Sequence, residues 1–298
     1  MTRTSIFDYE TVVPDESLAA REPFLLGFEA RHDRVRDQLN LLLYADRLGD
    51  WSRKHHGSVL PICNRVADQY PFIVFHGDVG TGKTAAAECI ANRLLTDAGA
   101  EDSMLFRLSN RVRGSGLVGE MGTLLSEAFE KVTKSVGKHR RAVLIIDEGD
   151  SIAASRAQDH SHHEDKVAVN TLIQGIDDLR RLGGRVAVIL CTNRLSALDP
   201  ALLRRAALIE RFSRPTDEER SALLGMDLEG LNLESKELAE LVAISGPHDH
   251  HPGWTFSDFR TRFYPLAVAK AFPEGPLTFA QLKAAALETG ASRVMEDR

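Results

Sequence analysis

Residues 77 to 84 read Gly77-Asp78-Val79-Gly80-Thr81-Gly82-Lys83-Thr84 and directly follow the apolar run Phe72-Ile73-Val74-Phe75. A strand feeding a G-x-x-x-x-G-K-[ST] loop wraps a triphosphate in backbone amides, because glycine permits the turns that aim successive N–H groups at phosphate oxygens. In this pattern Lys83 reaches the β and γ phosphates and the Thr84 hydroxyl ligates Mg²⁺. A run of good helix formers over residues 85–95 adds the positive end of a helix to the same anion site. The run Ala142-Val143-Leu144-Ile145-Ile146 ends in Asp147 and Glu148. A buried strand of this kind holds Asp147 beside the phosphate loop to position Mg²⁺, and Glu148 next to it orients and polarises the attacking water. Together the two motifs predict ATP hydrolysis rather than nucleotide binding alone. A third apolar strand, Val188-Ile189-Leu190-Cys191, ends in Thr192-Asn193, and Asn193 is placed to hydrogen-bond the γ-phosphate or the lytic water.

These residues must be carried by a sheet. Strands are expected over 72–75, 104–108, 142–146 and 186–190, alternating with helices from 85, over 124–132 and over 167–179. Continuous apolar strands in such alternation belong to a parallel sheet with helices on both faces, so the fold class is α/β. A helix over 30–48 puts Val35, Leu39, Leu42 and Leu43 on one stripe, and residues 54–58 read as a loop. After Arg214-Pro215 the pattern becomes all-helical. Thr216 and Glu219 form a capping box, and further helices are expected from Ser235, over 255–272 and over 279–289. The expected organisation is an arm or linker over 1–22, a large α/β domain over 23–213 and a small helical lid over 214–298.

Bulk properties narrow the class. The 298 residues carry 43% hydrophobic and 27% charged side chains, ordinary for a soluble globular protein. A net charge of −6 supplies no global field for nucleic acid. Cys63, Cys89 and Cys191 lack metal spacing and suit a reducing compartment. The N-terminus has no signal-type apolar core, and no apolar stretch reaches the ~20 residues of a membrane helix, so a cytoplasmic protein with no membrane contact is expected.

The segment Thr192-Asn193 followed by Leu198-Asp199-Pro200-Ala201-Leu202-Leu203-Arg204-Arg205 resembles the second region of homology of the AAA+ ATPases. That resemblance implies a P-loop AAA+ domain with a helical lid. It makes Asn193 the first sensor, and Arg204 or Arg205 an arginine finger that reaches a neighbouring subunit's nucleotide. A finger acting in trans implies a ring, here a homo-hexamer. Where the family has R-P-G-R-F, this chain has Arg205-Ala206-Ala207-Leu208-Ile209-Glu210-Arg211-Phe212, which leaves Arg211 as a further candidate. Trp254-Thr255-Phe256-Ser257-Asp258-Phe259-Arg260 resembles the second-sensor helix, with Arg260 the nucleotide contact and Arg262 the alternative. Gly116-Leu117-Val118-Gly119 occupies the slot of the first pore loop, with Leu117 at the position usually held by an aromatic.

From about residue 22 onward, the chain is similar to the pachytene-checkpoint AAA+ remodellers, and in its compact form to bacterial members that accompany cyclic-oligonucleotide anti-phage systems. The likeness implies a HORMA-domain protein as client, bound to a cyclic-nucleotide synthase. Partial unfolding of that client through the pore would disassemble the complex and limit signalling. The alternative is a DNA-directed AAA+ ATPase, a loader or nucleic-acid switch. It needs a basic pore, whereas Glu120, Asp159 and Glu164 stand among Arg111, Arg113 and Arg156. A nucleotide-switched scaffold without turnover is a third class. The histidine-rich stretches over 156–165 and 248–251 read as solvated loops.

Overall fold

Six strands, β1 (Phe7–Val13), β2 (Phe72–Gly77), β3 (Ser103–Leu108), β4 (Ala142–Ile146), β5 (Val186–Thr192) and β6 (Leu208–Phe212), form one sheet in the order β1-β3-β4-β5-β2-β6. All neighbours are parallel except β1, which runs antiparallel to β3. The structure is a computed structural model and describes residues 6–97, 102–109, 120–137, 139–153, 163–248 and 251–295.

The large domain carries α1 (Glu16–Ala19), α2 (Phe28–Leu43), α3 (Leu48–His56), α4 (Pro61–Ala67), α5 (Lys83–Asp97), α6 (Glu120–Val136), α7 (His163–Arg180) and α8 (Pro200–Leu203). Every residue of β4 and β5 is buried, which is why these strands read as unbroken apolar runs. Their side chains alternate between two cores. Leu144, Ile146, Val188 and Leu190 face α6 and α7, while Val143, Ile145, Ile189 and Cys191 face α2 and α5. Helices pressed on both faces hold the strand ends in register, and those ends carry the site.

The segment expected to be an arm instead supplies β1. Its pairing with β3 puts the Phe7 ring 4.9 Å from Phe106. Only alternate residues of an edge strand turn inward, so Asp8 and Glu10 on the other face hide the pattern. Phe7→Ala is expected to lower stability by about 3 kcal/mol, typical of deleting a buried aromatic. Denaturant unfolding checks this, and an unchanged midpoint would return the segment to an arm.

Other differences are local. The helix expected over 30–48 stops at Leu43, where the Tyr44 ring is held between the Arg47 and Arg141 guanidinium groups, 4.4 and 4.2 Å from its centroid. Residues 54–56, expected in a loop, finish α3, and Gly57 at φ +75° ends it. Strand β6 was not foreseen. Its Glu210 is held by Arg34 of α2 at 2.8 Å from Nε.

A separate core unites α9 (Asp217–Asp227), α10 (Ser235–Ser245), α11 (Phe256–Asp258), α12 (Tyr264–Ala269) and α13 (Phe279–Glu288). Leu224, Leu241, Trp254, Phe259, Phe263 and Leu282 fill it. The Thr216–Glu219 capping box forms as expected, with bonds of 3.0 and 3.2 Å. The helix expected over 255–272 runs from Phe256 to Ala269 and widens into a π turn at Phe259–Phe263, just before Pro265, which lacks the N–H needed to continue a regular ladder. Among the described residues no helix is long and apolar enough to cross a membrane.

Candidate active site

At the end of β2 the chain turns through Gly77 at φ +144°, where any Cβ would overlap the Phe212 carbonyl of β6. Gly80 and Gly82 follow at φ +79° and +90°, and nothing lies within 4 Å of the position a Cβ on Gly82 would take. This open backbone cradle at the start of α5 fits a chain of phosphates. Lys83 closes it from below. Its buried ammonium donates to the carbonyls of Gly77 (2.9 Å) and Asp78 (2.8 Å) and to Asn193 Oδ1 (2.9 Å). Burial draws its pKa below the ordinary lysine value, against the pull of nearby Asp147, Asp78 and Asp150.

The end of β4 meets this loop from the neighbouring side of the sheet. Thr84 Oγ1 donates to Asp147 Oδ2 at 2.8 Å, joining residues 63 positions apart. A hydroxyl beside a carboxylate is a hard-oxygen donor pair that fits Mg²⁺. The other Asp147 oxygen accepts the Glu148 N–H at 2.8 Å. Glu148 itself lies in the left-handed region at φ +50°, a conformation that costs a non-glycine residue about 1 kcal/mol or more. Its side chain is exposed. Gly149 follows because a Cβ there would strike Leu190 of β5.

Asp150 joins the site without belonging to either nucleotide motif. Its Oδ1 accepts from Thr192 Oγ1 (3.0 Å) and from the Asn193 N–H (3.4 Å), so it ties the Glu148 turn to the Asn193 turn. The signal was available only as an acidic residue two places after Glu148.

The structure treats the paired arginines differently. Arg205 is held by Asp177 of α7 through Nε (2.7 Å) and a terminal nitrogen (3.0 Å), by the Ala201 carbonyl (3.0 Å), and over the Tyr70 ring. Arg204 at the end of α8 is exposed. Arg211 is exposed on β6, in register with His76. In the lid, Arg260 lines the cleft beside the cradle and donates to the Phe24 carbonyl at 2.9 Å. Arg262 turns away to the Gly290 carbonyl (3.2 Å) and Asp258 (3.4 Å). Gly116, Leu117, Val118 and Gly119 lie outside the described residues, as do residues 156–162 of the histidine-rich stretch over 156–165, whose last three residues begin α7.

That cleft, about 260 Å³, was also missed. Leu25, Leu26, Phe28, Ala86, Phe212 and Phe256 line it, next to Gly80, Thr81 and Gly82. A mainly apolar cleft next to a phosphate cradle has the chemistry for a nucleoside base. Arg31 stiffens one wall, its guanidinium 5.2 Å from the Phe212 ring centroid and 3.5 Å from Glu219 of α9.

Comparison with known proteins agrees with this geometry. Residues 73–214 match the ATPase family associated with various cellular activities (AAA). CD-NTase-associated protein 6 of Escherichia coli strain KTE188 is 61% identical over 282 residues, spanning 95% of each chain. A chain in the structure of the E. coli MS115-1 HORMA:CdnC:Trip13 complex superposes with a TM-score of 0.89 at 36% identity, over 98% of this chain and 99% of that one. Rhizobiales Trip13 superposes with a TM-score of 0.72 at 32% identity, over 96% and 99%. The chain thus belongs to the family of CD-NTase-associated protein 6 within the AAA ATPases, and it is an ATP-hydrolysing enzyme.

Proposed function

We propose that this ATPase works in the cytoplasm as a homo-hexameric ring that partly unfolds a HORMA-domain protein, separates it from a cyclic-nucleotide synthase, and so limits anti-phage signalling. The observation that carries this reading is the end-to-end match to a chain from a HORMA:CdnC:Trip13 complex. The same match favours a protein client over the DNA-directed alternative. The buried free thiols of Cys63, Cys89 and Cys191 suit a reducing compartment.

In this account the amides of residues 77–84 hold the triphosphate, the apolar cleft holds the base, and Lys83 transfers its donors from the Gly77 and Asp78 carbonyls to phosphate oxygens. Thr84 and Asp147 hold Mg²⁺, which supplies charge neutralisation of the phosphates. Glu148 takes the proton of the attacking water. Asn193, linked to Lys83 and to Asp150, senses the γ-phosphate. Arg260 approaches from the lid, and Arg204 reaches the next subunit's site, while Arg205 positions α8 by its hold on Asp177.

Leu117 is the proposed grip on the client. Leu117→Ala is expected to lower client disassembly per ATP hydrolysed by roughly 10-fold, equivalent to about 1.4 kcal/mol of grip. Parallel assays of phosphate release and complex separation measure that ratio. An unchanged ratio would remove Leu117 from the grip.

A further inference from the structure

The second residue of the phosphate loop is a buried carboxylate whose partners lie far along the chain. The Asp78 side chain is 6% exposed. Its Oδ2 accepts from Arg214 Nε at 2.8 Å, and its Oδ1 accepts the backbone N–H of Met295 at 2.7 Å. Arg214 sits in the junction between β6 and α9 and is spent on this contact. Its two terminal nitrogens donate to the Gly253 carbonyl at 2.6 Å and the Ser292 carbonyl at 2.8 Å. The tail is held from the lid side as well. Ser292 donates through N to Asp258 Oδ2 (3.1 Å) and through Oγ to Asp258 Oδ1 (2.5 Å). Asp258 closes the capping box of α11 with Thr255. That turn rests on the loop, where the Ser257 N–H donates to the Gly80 carbonyl at 3.2 Å.

Residues 292–295 are therefore bracketed by a carboxylate on the phosphate loop and a carboxylate on the lid, with one arginine clamping both sides. A buried carboxylate beside a triphosphate site repels its ligand unless it is paired, and an unpaired buried charge is costly. Arg214 supplies the compensation, and its orientation depends on Gly253 and Ser292 being in place. Seating of the tail, closure of the lid and neutralisation of the loop are thus one cooperative unit.

We propose that residues 292–295 are a latch that holds the helical lid down on the phosphate loop, with Asp78 and Arg214 as its positioning residues, and that its seating sets how long nucleotide stays bound. The proposal rests on the assignment of residues 77–84 as the nucleotide site. Release of the latch frees the lid turn from Gly80 and opens the apolar cleft, so ADP leaves.

The test is stopped-flow dissociation of a fluorescent ADP analogue from the full chain carrying Asp78→Asn or Met295→Pro, and from a chain truncated after Gly290. Asp78→Asn keeps the shape and removes the charge pair, while Met295→Pro removes the backbone N–H that donates to Asp78 Oδ1 and leaves Arg214 in place. Each variant is expected to release ADP roughly 10-fold faster, the scale of losing a charge-assisted hydrogen bond. Adding Asp78→Asn to the truncated chain is expected to give no further increase, because both act on one device. Folded variants that release ADP at the native rate, or effects that multiply independently, would overturn the latch. Should the truncated chain fail to fold, Met295→Pro decides the question with the chain intact. A native protein that does not bind the analogue would instead sink the site assignment beneath it.

Discussion

Glu148→Gln is expected to slow ATP hydrolysis by roughly 10²–10⁴, the range that general-base catalysis supplies, with ATP still bound. The amide matches the carboxylate in size but cannot take a proton from water. The change spares the bond between Thr84 and Asp147, and the Glu148 backbone N–H that donates to Asp147 is kept. The strained φ of +50° at this residue shows that the fold turns the backbone sharply where the strand ends, and so presents its side chain to solvent rather than to the sheet. Phosphate release in the steady state, together with the ATP-to-ADP ratio on the purified protein, measures both halves. Turnover reduced by less than about 10-fold would place the base elsewhere.

The second large effect concerns the neighbouring arginines. Arg204→Ala is expected to lower turnover by roughly 10³–10⁵, the contribution of an arginine finger. Arg205→Ala is expected to act mainly on the fold of α8 and α7, because it leaves Asp177 without the pair that fixes it. A mixing experiment separates the roles. In rings assembled from Arg204→Ala and Glu148→Gln subunits, some sites have a native Glu148 facing a native Arg204 from the neighbour. Those sites are expected to restore turnover that neither variant shows alone. Absence of recovery would mean that Arg204 does not act across the interface. A greater loss in a fully folded Arg205→Ala ring would reverse the assignment.

What could be read from the residues depended on how far apart the interacting groups lie. The cradle and the carboxylates at the end of β4 are local motifs, and their meeting at Thr84 and Asp147 follows once β2 and β4 end at the same edge of a parallel sheet with β5 between them. Asn193 reached Lys83 for the same reason. By contrast, the choice between Arg204 and Arg205 turns on Asp177, 28 residues earlier on another helix. The base cleft gathers residues near 25, 86, 212 and 256, whose hydrophobicity serves the core equally well. Arg214 and Met295 meet Asp78 across 136 and 217 residues, so nothing in the loop itself announces them. Strand β1 escaped because an edge strand shows only a partial apolar pattern, here interrupted by the exposed Asp8 and Glu10. The π turn in the helical run over 256–269 has a local cause in Pro265, yet the run of aromatic residues around it, which fills the core of the helical unit, reads as a continuous helical stripe.

The central claim is that ATP hydrolysis by this chain drives the separation of a HORMA protein from a nucleotide synthase. Its most direct test mixes a preformed HORMA–synthase complex with the native protein and follows separation by size-exclusion chromatography, with ATP and with a non-hydrolysable analogue. The account predicts separated proteins with ATP and an intact complex with the analogue or with the Glu148→Gln ring. Separation that proceeds equally in all three reactions, or an intact complex despite brisk ATP turnover, would contradict it.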